Sequence, residues 1–430
     1  MVNQPTVLLR YADAGHLYAT WRWTDALHTA EAAFFPQEVV DAAVAELSAA
    51  LPGIDGGPAA AGPGEPAILD GVEAALTTGA FADYDRELAL GRTLSRALIP
   101  HGLALRLDEL QSAGIRPRIR IQPSPRIAQV PWELLAGDPE ETRLIEIADV
   151  SVLAPAGVAH APGRSARSWA DTRDLPVVAV LDPRVPGFRA DSRLGSVLGR
   201  MRADAPLAAH VAGLAGRLRP FADTPVEMFR RTDVDRDWLG GVLREGAGRL
   251  LYVGHATAAA PESGEGEHAQ LHLACTADAD GHAPVLRGHR PLSAKDLLLG
   301  AGRYPMPSRV ALIACESGGD LRFTETLGLA TAALLGGAEL VTATRWTLAT
   351  DFAVEHVGAE GRPLQEAVVA IDAAHDTDDP VAAIGEWQRG RLESWRAKRS
   401  VADSPVLWAA FSTIDTAAVA GAGTGPVTPA

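Results

Sequence analysis

Apolar and polar positions repeat with different periods in different parts of the chain, and each period predicts a different element. Residues 6–24 alternate apolar and polar side chains around Asp13, Ala14 and Gly15, which predicts a β-hairpin. Residues 36–51 have apolar positions at helical spacing, and the stretch 52–66, rich in Gly, Pro and Ala, predicts a flexible linker. Next come a predicted helix that ends at about residue 99 and predicted strands near 103–107 and 118–122.

The pattern changes after residues 155–174, a segment rich in Pro, Gly, Ala and charge that predicts a domain boundary. The predicted strands beyond it are 177–181, 226–229, 249–254, 309–314 and 339–344. The predicted helices are 194–218, 235–245, 293–300 and 324–336, with further helices to about 397. This alternation is typical of an α/β domain with a mostly parallel sheet and helices on both faces. We therefore expect an N-terminal α+β region over 1–160, an α/β domain over 174–415 and a disordered tail over 416–430.

Two apolar runs in the second part end at side chains that can carry chemistry. Residues 250–253 are followed by Gly254 and His255, and residues 310–314 by Cys315. Each run is typical of a buried strand that breaks into a turn. Either segment alone is more typical of an inert core cysteine or a hydrogen-bonded histidine. Strands of a parallel sheet share one carboxyl edge, however, so neighbouring strands would bring the imidazole and the thiol together.

A thiol beside an imidazole is suited to nucleophilic catalysis. The thiolate is the nucleophile, and a nearby histidine can accept the thiol proton and later protonate an amine leaving group. Small residues surround both groups, which leaves space for a substrate backbone and exposes main-chain N–H groups to a developing oxyanion. These small residues are Gly254, Ala256, Ala314, Ser317, Gly318 and Gly319.

Composition narrows the class of protein. The chain has 430 residues, of which 47% are hydrophobic and 22% charged, as is ordinary for a soluble globular protein. A net charge of −15 disfavours a nucleic-acid backbone as the main partner. The sequence has no leader-like start and no apolar run long enough to span a membrane, so we expect a cytoplasmic protein without a membrane partner. Cys275 and Cys315 are the only cysteines, so no disulfide framework is implied.

A cluster of histidines after His255 offers a competing chemistry, a zinc site. Imidazole and thiolate are zinc ligands, but the spacing matches no familiar ligand pattern. On a strand, His268 and His272 would lie about 13 Å apart, too far to share one ion easily. We therefore favour a β-hairpin that turns at 278–281 and borders the cleft, with Cys275 as a packed thiol. The cluster consists of His268, His272, Cys275, Asp278, Asp280, His282 and His289.

Five segments together resemble the CHAT-domain proteins, a branch of the caspase–separase clan of cysteine peptidases. Residues 254–256 (Gly-His-Ala) correspond to the family's Gly-His-Gly motif, and residues 314–318 (Ala-Cys-Glu-Ser-Gly) to its Ala-Cys-Glu-Thr/Ser-Gly motif. The other three are 130–135, similar to a Pro-Trp-Glu-Leu-Leu block, 328–346, similar to the helix and strand after the cysteine, and 404–411, similar to a closing Pro-x-x-Trp-Ala-x-Phe segment. The resemblance covers roughly residues 95 to 415.

The resemblance implies a caspase-like fold and a cysteine endopeptidase that needs neither cofactor nor metal. Residues 1–160 would then be a non-catalytic half that packs against the catalytic domain. Cys315 would attack the scissile carbonyl, and His255 would be the general base and acid. The backbone N–H groups of Cys315 and Ala256 would hold the oxyanion. The expected substrate is a protein.

Three further residues bear on specificity by the same resemblance. Ile313 lies two residues before the cysteine, where clan members that cut after Lys or Arg often have an acid, so a basic P1 preference set from this position is not expected. Asp351 could supply an acid from the opposite wall, or it could be an exposed loop aspartate. Trp346 follows Arg345, which stands where the family tends to have Leu, beside the presumed specificity pocket. That arginine would either alter the side-chain preference or be solvated.

The resemblance also implies a setting: bacterial, antiphage defence or regulated cell death, with the peptidase latent until a separately encoded activating or sensor protein triggers it. Residues 257–268 could be a processing loop. The alternative is a weak or inactive scaffold that binds partners, because Ala256 replaces a glycine and would be strained at positive φ. A cysteine hydrolase or acyltransferase acting on small molecules is a further alternative. A closed apolar pocket would favour that enzyme, whereas an open cleft would favour the peptidase.

Overall fold

One large mixed sheet runs through the computed structural model of the chain, which describes residues 4–53, 70–137, 141–192, 194–259, 264–323 and 326–416. Its eleven strands follow the order β3-β2-β1-β4-β5-β14-β13-β12-β8-β6-β7 within the described residues, and a small second sheet has the order β11-β10-β9. The strands are β1 Thr6–Ala14, β2 His16–Trp23, β3 Glu31–Phe35, β4 Arg118–Gln122, β5 Asp149–Leu153, β6 Val177–Leu181, β7 Leu218–Arg219, β8 Arg249–Val253, β9 Ala256–Thr257, β10 Gln270–Leu271, β11 Leu292–Ser293, β12 Arg309–Ile313, β13 Leu340–Thr344 and β14 Phe411–Asp415.

Helices connect most of these strands. They are α1 Gln37–Ala50, α2 Asp70–Thr77, α3 Tyr84–Leu98, α4 His101–Ser112, α5 Leu144–Ile147, α6 Ala156–Ala159, α7 Trp169–Thr172, α8 Pro206–Gly213, α9 Arg236–Glu245, α10 Ala294–Leu299, α11 Leu329–Leu335, α12 Asp351–His356, α13 Pro363–His375, α14 Pro380–Lys398 and α15 Pro405–Trp408. No helix among the described residues is long and apolar enough to cross a membrane.

The C-terminal half of the sheet is covered on both faces, as the alternation of strands and helices predicted. Strands β6, β8, β12 and β13 are parallel neighbours, and all five residues of each are buried. Successive side chains of a strand point to opposite faces. Leu250 and Tyr252 of β8 accordingly join a core with α9, α10 and α11, whereas Leu251 and Val253 join a core with α8 and α13.

The N-terminal part forms the other half of the same sheet. The hairpin β1–β2 is confirmed, with β3 added beyond it, and the alternate side chains Leu17, Ala19 and Trp21 pack in a core with α1 and α3. Strand β5 pairs in parallel with β14, which lies antiparallel to β13. The two halves therefore share one sheet, while the division into separate domains remains a prediction.

A buried ion pair also joins the halves. The Arg345 guanidinium donates two hydrogen bonds to the Glu133 carboxylate, at 2.8 and 2.9 Å, and both side chains are buried. Glu133 belongs to the Pro-Trp-Glu-Leu-Leu segment, and Arg345 follows β13 directly. Arg345 is therefore not solvated, and that expectation was wrong, whereas an effect of Arg345 on side-chain preference stays a prediction.

Several predicted elements differ from the structure. Residues 103–107 lie within α4, because Leu103 and Leu107 are one helical turn apart and pack together inward. Residues 226–229 fall largely in a short 3₁₀ helix that begins at Pro225, and 194–218 contain only the helix α8 and a shorter 3₁₀ turn. The predicted tight hairpin at 278–281 is replaced by β10 and β11, which pair across a long connection.

Some predictions fall partly or wholly outside the described residues. These are the linker 52–66 beyond residue 53, residues 260–263 of the proposed processing loop, and the tail 416–430 beyond residue 416.

Candidate active site

The ends of β8 and β12 lie side by side. The two strands are parallel, and their last paired residues are Val253 and Ile313. The Gly254 N–H donates to the Ile313 carbonyl at 3.2 Å, which continues the pairing by one step. His255 and Cys315 each follow two residues after this last pair. The structure thus brings the predicted histidine and cysteine to adjacent positions at one edge of the sheet.

The His255 ring is held by a backbone carbonyl. Its Nε2 lies 3.3 Å from the Gly195 oxygen, which can only accept a hydrogen bond. The tautomer that fits this contact donates from Nε2 and has Nδ1 as its basic nitrogen. The His255 carbonyl in turn accepts from the Tyr252 hydroxyl at 2.6 Å and from the His272 N–H at 3.1 Å. Ring and backbone are fixed from two different directions.

Asp182 organises the segment that carries Gly195. This carboxylate follows β6 and is 1% exposed. It accepts hydrogen bonds from the Ser196 hydroxyl and from the Val197 N–H, the latter at 3.1 Å. The Arg230 guanidinium lies 3.3 Å from the same carboxylate and donates to the Gly195 carbonyl at 2.6 Å. A charged group of the β6 turn therefore determines where the acceptor for His255 lies.

The cysteine turn rests on β13. The Thr344 hydroxyl donates to the Ala314 carbonyl and accepts from the Ser317 N–H, the latter at 3.2 Å. The Ser317 hydroxyl reaches back to the Leu312 carbonyl at 2.6 Å, and the Gly318 N–H donates to the Thr344 carbonyl at 3.0 Å. These bonds close a tight turn, in which Glu316 adopts the left-handed conformation with φ 49°.

The electrostatic surroundings keep the thiol neutral at rest. Burial raises the pKa of Cys315, and the adjacent Glu316 carboxylate raises it further. A backbone hydrogen bond from Leu348 and the backbone N–H of Cys315 itself oppose this rise. The Glu316 carboxylate pairs with Arg322 at 2.7 Å. A base is therefore needed to generate the thiolate near neutral pH.

Ala256 lies in the edge strand β9 of the small sheet, within the described residues, and has no positive φ. Its partner across the pair is Leu271, and the bond that flanks the pair runs from His272 N–H to His255 carbonyl. Ala256 and Leu271 thus form the non-hydrogen-bonded type of antiparallel pair, in which backbone groups point away from the partner strand. The Ala256 N–H therefore points away from β10, and the backbone of Ala256 is not strained.

The three other predicted site residues are buried. Ile313 is the last residue of β12 and lies in the core. Trp346 stacks on Phe81 with ring centroids 6.2 Å apart, and its indole N–H donates to the Val406 carbonyl.

Asp351 begins α12 and accepts from the Leu364 N–H at 2.8 Å, and burial raises its pKa to about 6. The interpretation of Asp351 as an exposed loop aspartate was wrong.

The histidine cluster makes separate contacts rather than one site. His272 and His289 are both buried, with Nδ1 of the first 3.1 Å from Nε2 of the second. His282 pairs with Asp296 and His268 with Glu265. No group of three or more His, Cys, Asp or Glu among the described residues could hold a metal ion. Cys275 is buried, and burial raises the pKa of its thiol.

Comparison with known proteins now settles the family. The sequence profile of the CHAT domain matches residues 88–416. The chain belongs to the CHAT family. The resemblance to CHAT-domain proteins seen in the five sequence segments is thereby confirmed. No curated protein matches the chain in sequence.

Two solved structures of the Saccharomyces cerevisiae separase–securin complex are similar to this CHAT protein. For the structure at 3.0 Å resolution the identity is 9% and the TM-score 0.45, with 96% of this chain and 30% of the other covered. For the one at 2.6 Å the values are 10% and 0.46, with 95% and 30% covered. The chain thus spans less than a third of the length of these two chains.

Sequence reasoning missed the groups that position the pair. Gly195, Asp182 and Leu348 were not singled out, since two of them act through the backbone and Asp182 is far from His255 along the chain. The sequence Asp182-Pro183 directly after an apolar run was an available signal, because it ends a predicted strand on the same edge as the other two.

Proposed function

We propose that this CHAT protein is a cysteine endopeptidase in which His255 and Cys315 form the catalytic pair. The observation that carries the proposal is the register of β8 and β12, which puts both residues two positions beyond the same paired step. The intact pair, the small residues around it and the outward N–H of Ala256 supply the groups that peptide hydrolysis requires.

In the proposed reaction, Nδ1 of His255 removes the thiol proton as Sγ of Cys315 attacks the scissile carbonyl carbon. The oxyanion is held by the N–H groups of Ala256 and Cys315. The imidazolium then gives its proton to the leaving amine, and water hydrolyses the thioester with the neutral histidine as base. In this tautomer the Gly195 carbonyl accepts from the Nε2 N–H while Nδ1 takes up and returns the thiol proton.

The resting thiol needs a base before it can attack. The neutral thiol beside Glu316 becomes a thiolate only when His255 or a bound substrate stabilises it. Latency, the activating partner and the defence role remain predictions from the family resemblance, and the cytoplasmic location remains a prediction from the sequence. For specificity, we propose Asp351 as the acidic group in the wall of the pocket that receives the P1 side chain. The buried residues Ile313 and Trp346 would support that wall from the core.

The test compares cleavage of a diverse peptide library by the parent protein with cleavage by Cys315→Ala, His255→Ala and Cys275→Ala, read by mass spectrometry. We expect cleavage to fall to background in the first two variants and to stay within a few-fold of the parent in Cys275→Ala. That variant removes the other thiol, so it controls for the substitution itself. Cleavage that persists in Cys315→Ala would refute the peptidase.

Silence from all four proteins calls for a second measurement. A fluorescein-labelled peptidyl acyloxymethyl ketone, a reagent that alkylates activated cysteines, would be incubated with each protein and the adduct mapped by mass. Labelling of Cys315 that depends on His255 would support a latent peptidase. Equal labelling in His255→Ala would instead favour the scaffold, in which the two residues do not act together.

A further inference from the structure

The peptide unit between His255 and Ala256 is held at its carbonyl. This carbonyl, which belongs to His255, accepts from the Tyr252 hydroxyl at 2.6 Å and from the His272 N–H at 3.1 Å. A trans peptide unit is planar, and its carbonyl and N–H point in opposite directions. The two donors therefore also fix the direction of the Ala256 N–H, which points away from β10. That N–H is one of the two groups assigned to the oxyanion in the proposed reaction.

Tyr252 carries a hydroxyl that packing alone does not require. The residue belongs to β8, is 1% exposed and lies in the core with α9, α10 and α11. A buried hydroxyl needs a hydrogen-bond partner, whereas a phenylalanine would fill nearly the same space without one. The nearer acceptor is the His255 carbonyl at 2.6 Å, and the His272 carbonyl lies at 3.1 Å. Burial raises the pKa of Tyr252, so the hydroxyl keeps its proton near neutral pH and remains a donor.

Gly254 leaves the space through which this hydroxyl reaches the carbonyl. Tyr252 and Gly254 are two residues apart on an extended segment, so side chains at both positions would project to the same face. A Cβ atom on Gly254 would lie 2.9 Å from the Tyr252 hydroxyl oxygen and 3.1 Å from Cζ of its ring. A larger residue before the histidine would therefore push the hydroxyl away from the His255 carbonyl.

The other donor to the carbonyl comes from the backbone of His272. The ring of this residue is buried, with Nε2 2.8 Å from the Thr257 hydroxyl and Nδ1 3.1 Å from Nε2 of His289. Its backbone N–H is present in every amino acid except proline, so a side-chain substitution does not remove it. Tyr252 is therefore the donor whose contribution a conservative substitution can isolate.

We propose that Tyr252 is a positioning residue for the oxyanion, because its hydroxyl orients and polarises the peptide unit whose N–H belongs to Ala256. Hydrogen bonds in series strengthen one another, so a bond to the carbonyl makes the N–H of the same peptide unit a stronger donor. The gain is largest where negative charge develops, in the tetrahedral intermediate. Tyr252 acts through the peptide unit and does not contact the substrate. This inference rests on the proposed peptidase and deepens it.

Two other roles for Tyr252 fit less well. A direct donor to the oxyanion would need a hydroxyl that faces the substrate, but this one lies between the carbonyls of His255 and His272. A purely structural role predicts that loss of the hydroxyl affects stability alone. Tyr11 provides the matched comparison for that role, since it is also buried and its hydroxyl donates to the Leu98 carbonyl at 2.6 Å in the other half of the sheet.

The kinetic test compares Tyr252→Phe with Tyr11→Phe on the best-cleaved peptide of the library. We expect kcat of Tyr252→Phe to fall about tenfold, less than the loss of a whole oxyanion donor would cause, with KM nearly unchanged. Alkylation of Cys315 by iodoacetamide forms no oxyanion, so its rate should stay close to that of the parent. Tyr11→Phe should lower the urea midpoint about as much as Tyr252→Phe does, and it should leave kcat unchanged.

A second measurement does not depend on activity. Protein with carbon-13 in its histidine carbonyls and nitrogen-15 in its alanines gives an amide–carbonyl correlation peak for each His–Ala pair, and Ala256→Gly identifies the peak of His255. Loss of a hydrogen bond to a carbonyl moves its carbon-13 resonance upfield. We expect this movement at His255 in Tyr252→Phe and not in Tyr11→Phe, with the other pairs as internal standards. The His–Ala pairs of the chain are 160–161, 255–256, 268–269 and 282–283.

The outcomes separate this inference from the proposed peptidase. The inference is overturned if kcat of Tyr252→Phe equals that of the parent, if kcat and the alkylation rate fall together, or if the His255 resonance does not move. A parent that cleaves no peptide, with Cys315 labelled equally in His255→Ala, would instead contradict the peptidase. The His255 resonance would still decide whether Tyr252 holds this peptide unit, since an upfield movement supports that role and an unchanged position refutes it.

Discussion

The two sides of the candidate active site are built differently. The cysteine side is regular: its turn is fixed to the neighbouring strand β13 by the hydroxyls of Ser317 and Thr344. The histidine side depends on an irregular segment near Gly195, whose position is set by one buried carboxylate, Asp182. The cysteine turn is held by several weak hydrogen bonds to neighbouring strands, whereas the Gly195 segment depends on a few strong hydrogen bonds to a charged group. The position of the nucleophile is therefore set by the sheet itself, and that of its base by the Asp182 network, which a single substitution can disturb.

Asp182→Asn is the substitution that we expect to disturb the histidine side most while leaving the cysteine side in place. The amide loses the negative charge that holds Arg230 and has one acceptor oxygen instead of two, so Gly195 should shift away from His255. We expect kcat/KM to fall about 100-fold, equivalent to about 2.7 kcal/mol, mainly through kcat. The rate of Cys315 alkylation by iodoacetamide, a small reagent that does not mimic the substrate, should change much less, because the thiol is neutral at rest and its position is set by the other side.

The control for this variant is Asp204→Asn, which removes an exposed carboxylate that pairs with Arg202. Ser196→Ala is a milder change to the same network and should cause a smaller loss in the same direction. A positioning role also predicts a displaced pH profile of kcat, since His255 would lose the acceptor of its Nε2 proton. An unchanged profile with a lower melting temperature would mean that Asp182 is merely structural.

Thr344→Val tests the cysteine side. Valine keeps the shape but removes the hydroxyl that bonds both the Ala314 carbonyl and the Ser317 N–H, which leaves these two groups only their mutual hydrogen bond of 3.2 Å. We expect the free energy of unfolding to fall by about 1–3 kcal/mol, measured by urea denaturation. Thr77→Val, at an exposed helix position, should change it by less than about 0.5 kcal/mol. A stability loss without a proportional loss of activity would contradict the role of Thr344 in placing the thiol.

These differences also explain which parts the sequence could predict. The strands ending at His255 and Cys315 were recognised because fully buried strands are continuous apolar runs that stop at small residues. The strands β5 and β14 were missed, since Asp149, Ser151 and Asp415 interrupt their apolar pattern, and the partners that bury them, such as Arg120 for Asp415, lie far away in sequence. Asp182 was missed for the same reason. Polar groups whose partners lie far away in sequence do not produce a regular spacing of apolar residues that could reveal them.

Acid should lower the free energy of unfolding through a buried histidine of α13, which packs against the strand that holds the cysteine turn. His375 of α13 is buried with its Nε2 2.8 Å from the Thr342 hydroxyl on β13, and burial lowers its pKa to about 3. The unfolded chain would bind a proton near pH 6.5 that the folded chain excludes, so stability is full above that pH and falls as the pH drops toward 3. We expect a slope of up to about 1.4 kcal/mol per pH unit from this group.

The measurement is urea unfolding between pH 7 and 5, where few carboxylates titrate. His375→Gln should reduce the slope by about one proton relative to the parent. Burial also lowers the pKa values of His272 and His289 on the histidine side, so His289→Gln provides the matched comparison. Equal slopes for the parent and His375→Gln would show that this group is not excluded from protonation in the folded state.

The smallest expected effect concerns the charge beside the nucleophile. Glu316→Gln removes the carboxylate that raises the pKa of Cys315 and leaves Arg322 nearby, so the pKa of the thiol should fall. Alkylation by iodoacetamide at pH 7.5 should become about two- to fivefold faster, and its pH midpoint should move down. Glu109→Gln, at an exposed position on α4, should leave both unchanged.

Because the alkylation rate reports the thiol without substrate, an altered midpoint in Glu316→Gln but not in Asp182→Asn would establish that the two sides act on separate groups. A midpoint that moves in both variants would mean that His255 already stabilises the thiolate at rest, and the two sides would then be one coupled unit.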